Sequence, residues 1–308
     1  MNAQVLDAIK RSAAVPSVPQ VVTRFLEVIQ DPNFDYEDLA NLLSADPGMA
    51  GDLLRLTNSA LFGVSRKITS LRRALTLLGP KRTRSLVLGR YLVESVGRTD
   101  IAGLNAAYFW RRSLVTAVLA ARLARAQASR RQEDVFICGL LSDIGLPVLA
   151  QALPAEYKPI AARYAPNTAP FTDDDERAAV GVTHGEVSAM VLSYWGLPEP
   201  VCTAVNCHHA RVSGDDAPSF AARLVGAGDA VARLLCETPD PDEVGRVCAD
   251  VAAITGLSLA DLGQAVTEIQ DDVDELASVL HLDVLPDEAY TLVTQAIQEQ
   301  DSATVGSQ

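Results

Sequence analysis

Residues 36–63, YEDLANLLSADPGMAGDLLRLTNSALFG, decide the fold class. Apolar residues recur three and four apart on both sides of Asp46-Pro47, the spacing of two amphipathic helices with a break between them. A proline after Asp46 has no N–H and presets φ near about −65°, so Pro47 suits the first turn of a helix that Asp46 caps. Asp35 stands where it can cap the preceding helix. Asn58 and Ser59 fall at the end of the second helix, where they can bond exposed carbonyls or neighbouring amides. Maintenance of the fold is the role expected of Asp46 and Asn58, with partner recognition as the alternative.

The same period runs through VVTRFLEVI (21–29), ITSLRRALTLLG (68–79), SLVTAVLAARLARA (113–126) and VSAMVLSYWG (187–196), and few segments alternate with a period of two. The chain is therefore expected to be all-α, built of short helices. Ser70 and Thr183 are further cap candidates, Gly79-Pro80 is a stop, and YAPNTAPFTDDDE (164–176) reads as a loop. Trp110 and Trp195 are expected in the core.

The chain has 308 residues, 48% of them hydrophobic, which is ample for a buried core. It has no uncharged apolar run long enough to span a bilayer, and its first residues carry no signal-peptide pattern, so a cytoplasmic protein without a membrane partner is expected. The five cysteines (Cys138, Cys202, Cys207, Cys236, Cys248) form no CxxC pair and are expected as free thiols. The formal net charge is −13, distributed unevenly. Residues 55–131 hold 16 Lys plus Arg against two acidic residues, whereas residues 132–308 hold seven against 29. One consequence is pairing between the basic middle and the acidic remainder. Another is an anion-binding surface on RKITSLRRALTLLGPKRTR (66–84), with Arg72, Arg73, Arg82 and Arg84 as candidates. No aromatic residues interleave these arginines, so nucleic acid is the weaker reading of that surface.

The stretch GLLSDIG (139–145) puts Ser142 before Asp143 where a metal-dependent phosphohydrolase would want His-Asp. Taken together, VPSVPQVVTRFLEVIQDPNFDYEDLANLLSADPGMAGDLLRLTNSALFG (15–63), ITSLRRALTLLG, FWRRSLVTA (109–117), ICGLLSDIG (137–145), VTHGEVSAMVLSYWGLP (182–198) and NCHH (206–209) resemble the HDOD domain. The resemblance covers roughly residues 10–235 and includes Pro16, Pro19, Asp31-Pro32, Asp46-Pro47, Asn58-Ser59-Ala60 and Leu78-Gly79 in order. It implies an all-helical output domain of bacterial signalling proteins, related to HD phosphohydrolases.

In those hydrolases metal is held by a first His, a His-Asp pair and a later Asp, with further histidines in two-metal relatives. The resemblance places Arg112 at the first His and Ser142-Asp143 at the pair, with His184, His208, His209 and Asp229 at the remaining positions. Two imidazoles are thus replaced. It implies a non-catalytic regulatory protein, with no cofactor, no metal, and a signalling protein or small anionic ligand as partner. If the guanidinium of Arg112 reaches Asp143, an ion pair stands in for the metal. The alternatives are a divergent phosphohydrolase acting on a nucleotide or cyclic dinucleotide, with Asp143, His184, His208 and Asp229 as ligands, and a nucleotide sensor using Arg72, Arg73, Arg82, Arg84 and Arg112.

Four segments are expected: an N-terminal helical subdomain (1–98), an HD-like helical subdomain (99–235), a helical extension (236–300) and a disordered polar tail (301–308). In the extension, a helix capped by Ser258 carries Leu259, Leu262, Val266, Ile269, Val273, Leu276 and Leu280 at 3-4 spacing. Such a seam packs on the domain core or, alternatively, pairs two copies of the chain as a homodimer.

Overall fold

The computed structural model describes residues 3–11, 15, 20–59, 64, 66–97, 101, 103–127, 132–210, 219–280, 282 and 287–305. Among them there are sixteen helices and no strand. The N-terminal group comprises α1 (Ala3–Arg11), α2 (Gln20–Gln30), α3 (Tyr36–Ser44), α4 (Pro47–Asn58) and α5 (Leu71–Gly97). The central group comprises α6 (Ala106–Ala126), α7 (Gln132–Leu141), α8 (Gly145–Ala152), α9 (Pro154–Ala161), α10 (Asp173–Val180), α11 (His184–Tyr194), α12 (Glu199–Asn206) and α13 (Phe220–Cys236). The chain then adds α14 (Pro241–Thr255), α15 (Leu259–Leu280) and α16 (Asp287–Val305).

The local signals act as the sequence suggests. Asp46 accepts a hydrogen bond from the Met49 amide at 3.1 Å, with Pro47 in the first turn of α4. Asp35 accepts from Glu37 N, and Thr183 with Glu186 forms a reciprocal capping box. At Gly79 the backbone turns to φ 74°, and Pro80 restarts the helix, so α5 is bent at the expected stop. Asn58 reaches further than a cap. Its amide donates to Leu54 O at 2.7 Å and Ile68 O at 2.8 Å, and its carbonyl accepts from Ile68 N at 2.7 Å, so one side chain ties the end of α4 to the approach of α5. Pro16, Pro19 and Ala60 lie outside the described residues.

Helix α6 is the axis of the molecule. Every residue from Ser113 to Ala121 is buried, so it is apolar on all sides, and it packs against α7, α13 and α15. Trp110 and Trp195 are both in the core. The seam of α15 is consumed within the chain: Leu262, Val266, Ile269, Val273 and Leu276 are buried, and the helix packs on α6 and α16. That face is therefore covered by the chain's own helices, the packing expected first for this seam. The final helix also runs to Val305, past residue 301 where a disordered tail is expected. The stretch Asp134–Ala152, with a mean hydropathy of 1.7, is apolar enough to cross a bilayer, yet 89% of it is packed inside the protein.

Charge asymmetry resolves into internal pairing at several positions. Arg122 on α6 bonds Glu268 at 3.1 Å and Asp272 at 2.5 Å on α15, and Arg90 bonds Asp52 and Glu94. All five cysteines are free, four of them buried and Cys207 half-buried. Burial pushes the thiols of Cys138, Cys236 and Cys248 up to about 12.

Asn58→Ala removes three hydrogen bonds and leaves the Ile68 amide and carbonyl without their partner, for an expected loss of about 1–3 kcal/mol in urea unfolding. Asn58→Asp keeps the acceptor for Ile68 N but sets a carboxylate oxygen against the Leu54 and Ile68 carbonyls, so it should cost at least as much as alanine.

Candidate functional site

The site forms where four elements meet around the turn that joins α7 to α8. Ser142 in that turn donates its hydroxyl back to Gly139 O at 3.1 Å, which closes the end of α7. Asp143 follows and is buried. Gly145 lets this turn press against α11: a Cβ there would lie 2.1 Å from His184 O. Its amide donates to Ser188 Oγ at 2.8 Å. On the other side, a Cβ at Gly226 would lie 2.2 Å from His208 O, so α13 is seated directly against the second histidine. Each of the two buried imidazoles thus has a glycine beneath its backbone.

Glu176 anchors the first imidazole. It is fully buried and accepts from His184 Nδ1 at 2.7 Å, from the His184 amide at 3.1 Å through both oxygens, and from the hydroxyl of Tyr157. The opposite nitrogen, His184 Nε2, lies 3.4 Å from Asp143 Oδ1. His208 is held the same way, with Nδ1 2.6 Å from Val205 O and Nε2 3.1 Å from Asp143 Oδ1. The two Nε2 atoms are 3.4 Å apart. Tyr164 donates its hydroxyl to Asp143 Oδ2 at 2.5 Å. His209 is exposed beside them, its ring centroid 3.9 Å from that of His208 and 5.0 Å from that of His184.

Arg112 is not where the ion-pair expectation put it. Its Nε and Nη2 donate to Asp229 Oδ1 and Oδ2, both at 2.8 Å, in a two-pronged pair between α6 and α13. Asp143 is instead taken up by Tyr164 and the imidazoles. Asp229, expected as a ligand of any metal, is accordingly spent on the guanidinium, and among the described residues Asp143, His184, His208 and His209 bring donor atoms within 4.8 Å of one another. The guanidinium carbon stands 4.7 Å over the Tyr164 ring.

A cavity of about 440 Å³ opens onto this cluster, lined by Arg112, Arg163, Tyr164, Phe171, His184 and His209 among others. Of the described arginines expected to bind an anion, Arg112 lines it and Arg72, Arg73 and Arg84 do not. Arg72 pairs with Glu37 on the exposed surface, Arg73 is exposed, and Arg84 donates to Gly196 O at 2.8 Å. The side chain of Arg82 lies outside the described residues.

Electrostatics follow from these partners. Burial pushes the Asp143 carboxyl up, but the hydrogen bonds from His184 and His208 outweigh it and hold the group well below the usual carboxylate range. Burial pulls His184 down, and Glu176 together with Asp143 more than reverses this, so the imidazole sits well above its ordinary value. Burial and the Asp143 carboxylate push the Tyr164 hydroxyl up, against the pull of Arg112. Glu176 and Tyr164 are missing from the sequence reading because both bound a stretch that reads as loop. The TDDDE run signals a helix start there, and nothing in the spacing marks its last carboxylate as an imidazole partner.

The HDOD domain model matches residues 15–211. The chain belongs to the HDOD domain family. An uncharacterized protein from Treponema pallidum (strain Nichols) is 28% identical over 200 residues, which are 63% of this chain and 38% of that protein. The chain thus spans well under half the length of this curated relative. Among solved structures, a protein from Shewanella amazonensis SB2B, named as a candidate phosphohydrolase, superposes with a TM-score of 0.68 at 21% identity, covering 90% of this chain and 98% of that one. An HDOD domain protein of unknown function from Geobacter sulfurreducens gives 0.58 at 22%, covering 90% and 97%. These two likenesses concern the HDOD fold alone.

The raised His184 contributes stability that is fully present below its unfolded value of about 6.5 and is lost as pH rises through the folded value. The depressed Asp143 contributes stability that is present above about 3.9 and is lost as pH falls through its folded value. Both contributions coexist between those limits. Glu176→Gln removes the charge that holds His184, so its destabilisation should be largest near pH 5 and shrink by pH 9. Urea unfolding of both proteins at the two pH values measures this, and an equal loss at both would contradict the assignment.

Proposed function

We propose that this HDOD protein is a non-catalytic regulator that works in the bacterial cytoplasm by binding a signalling protein or a small anionic ligand. The observation that carries this reading is the two-pronged Arg112–Asp229 pair. A hydrolytic metal centre needs a fixed ligand set with an open position for water. Here one position that would supply an imidazole supplies a permanent cation, and the carboxylate opposite is committed to it. Ser142, at another such position, is folded back onto Gly139 O. A guanidinium beside a metal centre also repels the second cation of a two-metal site. What remains favourable for binding is a cavity with arginine, histidine and aromatic walls.

Asp143 with its two buried imidazoles favours one second reading, a divergent metal-dependent phosphohydrolase acting on a nucleotide or cyclic dinucleotide. The readings part on turnover. Purified chain supplied with Mn²⁺, Zn²⁺, Fe²⁺ or Mg²⁺ should release no phosphate or monoester product from a panel of nucleotides, cyclic dinucleotides and aryl phosphodiesters. Turnover that disappears in Asp143→Ala would overturn the regulatory reading.

The pair itself makes a stability prediction. Both partners are nearly buried, so Arg112→Ala strands the Asp229 carboxylate and should cost about 3–5 kcal/mol, whereas Arg112→Met with Asp229→Leu should recover most of that loss. Urea unfolding of the single and double variants checks it.

A further inference from the structure

We infer that residues 163–172 form a strap across the cavity, latched at Asn167 to the link between α13 and α14, and that this latch couples the cavity to the C-terminal helices. The segment joins α9 to α10 and gives the cavity wall Arg163, Tyr164, Pro170, Phe171 and Thr172. Both of its ends are fixed. Tyr164 is buried, with its hydroxyl on Asp143 and its ring against Tyr108 and Phe109, and Thr172 is held by the capping box of α10. Between them the crest, residues 165–170, is exposed or half-buried. Its shape is kept by Arg163, which donates to Ala169 O and Pro170 O, and by Thr168, which donates to Arg163 O and Ala165 O.

The latch spans 71 residues of chain. Asn167 Oδ1 accepts from the Thr238 amide at 3.1 Å and from the Thr238 hydroxyl at 2.9 Å. Asn167 has φ 58°, and among the described residues it is the one non-glycine residue at positive φ. Asparagine tolerates that left-handed backbone better than most side chains, and here it also supplies an acceptor that glycine lacks.

The same link is gripped from the interior. Glu237, beside Thr238, accepts from the Tyr108 hydroxyl at 2.7 Å and from Arg233 Nη1 at 3.1 Å. Arg233 also bonds Glu243 in the first turn of α14. The Tyr108 ring stands edge-on to Tyr164, their centroids 5.4 Å apart. Two lines of contact therefore run from the cavity wall to the start of α14, one through Asn167 at the surface and one through Tyr164 and Tyr108 beneath it. An exposed crest held by a few hydrogen bonds is the kind of segment that opens locally at low cost. Opening it to admit or release an occupant breaks the latch and removes one of the two holds on α14. The use of this device rests on the cavity being where the regulator binds, whereas the coupling is a property of the chain alone.

Hydrogen–deuterium exchange of full-length protein, with no ligand added, tests the coupling. Asn167→Gly allows the left-handed backbone and deletes the latch. Exchange should rise about 5–30-fold both in the strap and in the first two turns of α14, with α2–α4 unchanged. Asn167→Asp keeps the acceptor and should match wild type. Thr238→Val removes the hydroxyl donor alone and should give the glycine pattern at smaller size. Tyr108→Phe deletes a hydroxyl that does not touch the strap, yet by reciprocity should speed exchange there as well as in α14. Circular dichroism verifies that each variant is folded. Faster exchange confined to the strap in Asn167→Gly, an equal rise in α2–α4, or an unmoved strap in Tyr108→Phe would overturn the inference. Each of these outcomes leaves the regulatory reading standing, since that reading fails on turnover instead.

Discussion

The Glu176–His184–Asp143 relay is the constraint on which the site depends. Two carboxylates and an imidazole, all buried, form a line in which each charge is tolerable only because of the next. An isolated carboxylate in such surroundings would face a desolvation cost of several kcal/mol. Glu176 avoids it by accepting from the His184 ring, the His184 backbone and Tyr157. The backbone contact is the more consequential one, because His184 is the first residue of α11 and its amide is one that no helix carbonyl can satisfy. The carboxylate thus fixes the side chain and the helix that carries it in one step.

That relay also explains which part of the site was legible in the sequence. His184, His208 and Asp143 were identifiable as a set because each lies in a segment resembling the HD-like half of an HDOD domain. Glu176 and Tyr164 were not, since their roles arise from a loop and a short helix folding over the cluster, and their only sequence signals are those of a cap and a turn. The Arg112 partner was misread for a related reason. Sequence placed Arg112, Asp143 and Asp229 at one centre, and only packing distinguishes them. Asp229 lies on α13, which crosses α6 beside Arg112, whereas Asp143 is enclosed by Tyr164 and two imidazoles. Fold class was far more legible. Caps at Asp35, Asp46, Thr183 and Ser258 and the break at Gly79-Pro80 are local, and local chemistry does not depend on what the chain later packs against.

The long-range outcomes share a cause. A 3-4 seam on α15 is a statement that one face must be covered, and it leaves open what covers it. Here α6 and α16 do so, helped by Arg122 bridging to Glu268 and Asp272. The uneven charge along the chain has the same ambiguity. A basic run can be a binding surface or one half of internal pairs, and Arg112 and Arg122 show the second outcome at two positions on the central helix.

A guanidinium and a metal ion solve the same electrostatic problem in different ways. Both neutralise a buried carboxylate, but the ion brings exchangeable coordination positions and a polarised water, whereas the guanidinium brings fixed donors and excludes a neighbouring cation. At Asp229 the guanidinium takes both carboxylate oxygens and so ties α6 to α13. The imidazole cluster around Asp143 is built from different elements, the turn joining α7 to α8, the start of α11 and the turn after α12, so its geometry does not depend on that pair. A site divided in this way presents a cavity in which one wall carries the permanent charge of Arg112 and another carries imidazoles whose charge depends on their buried carboxylate partners.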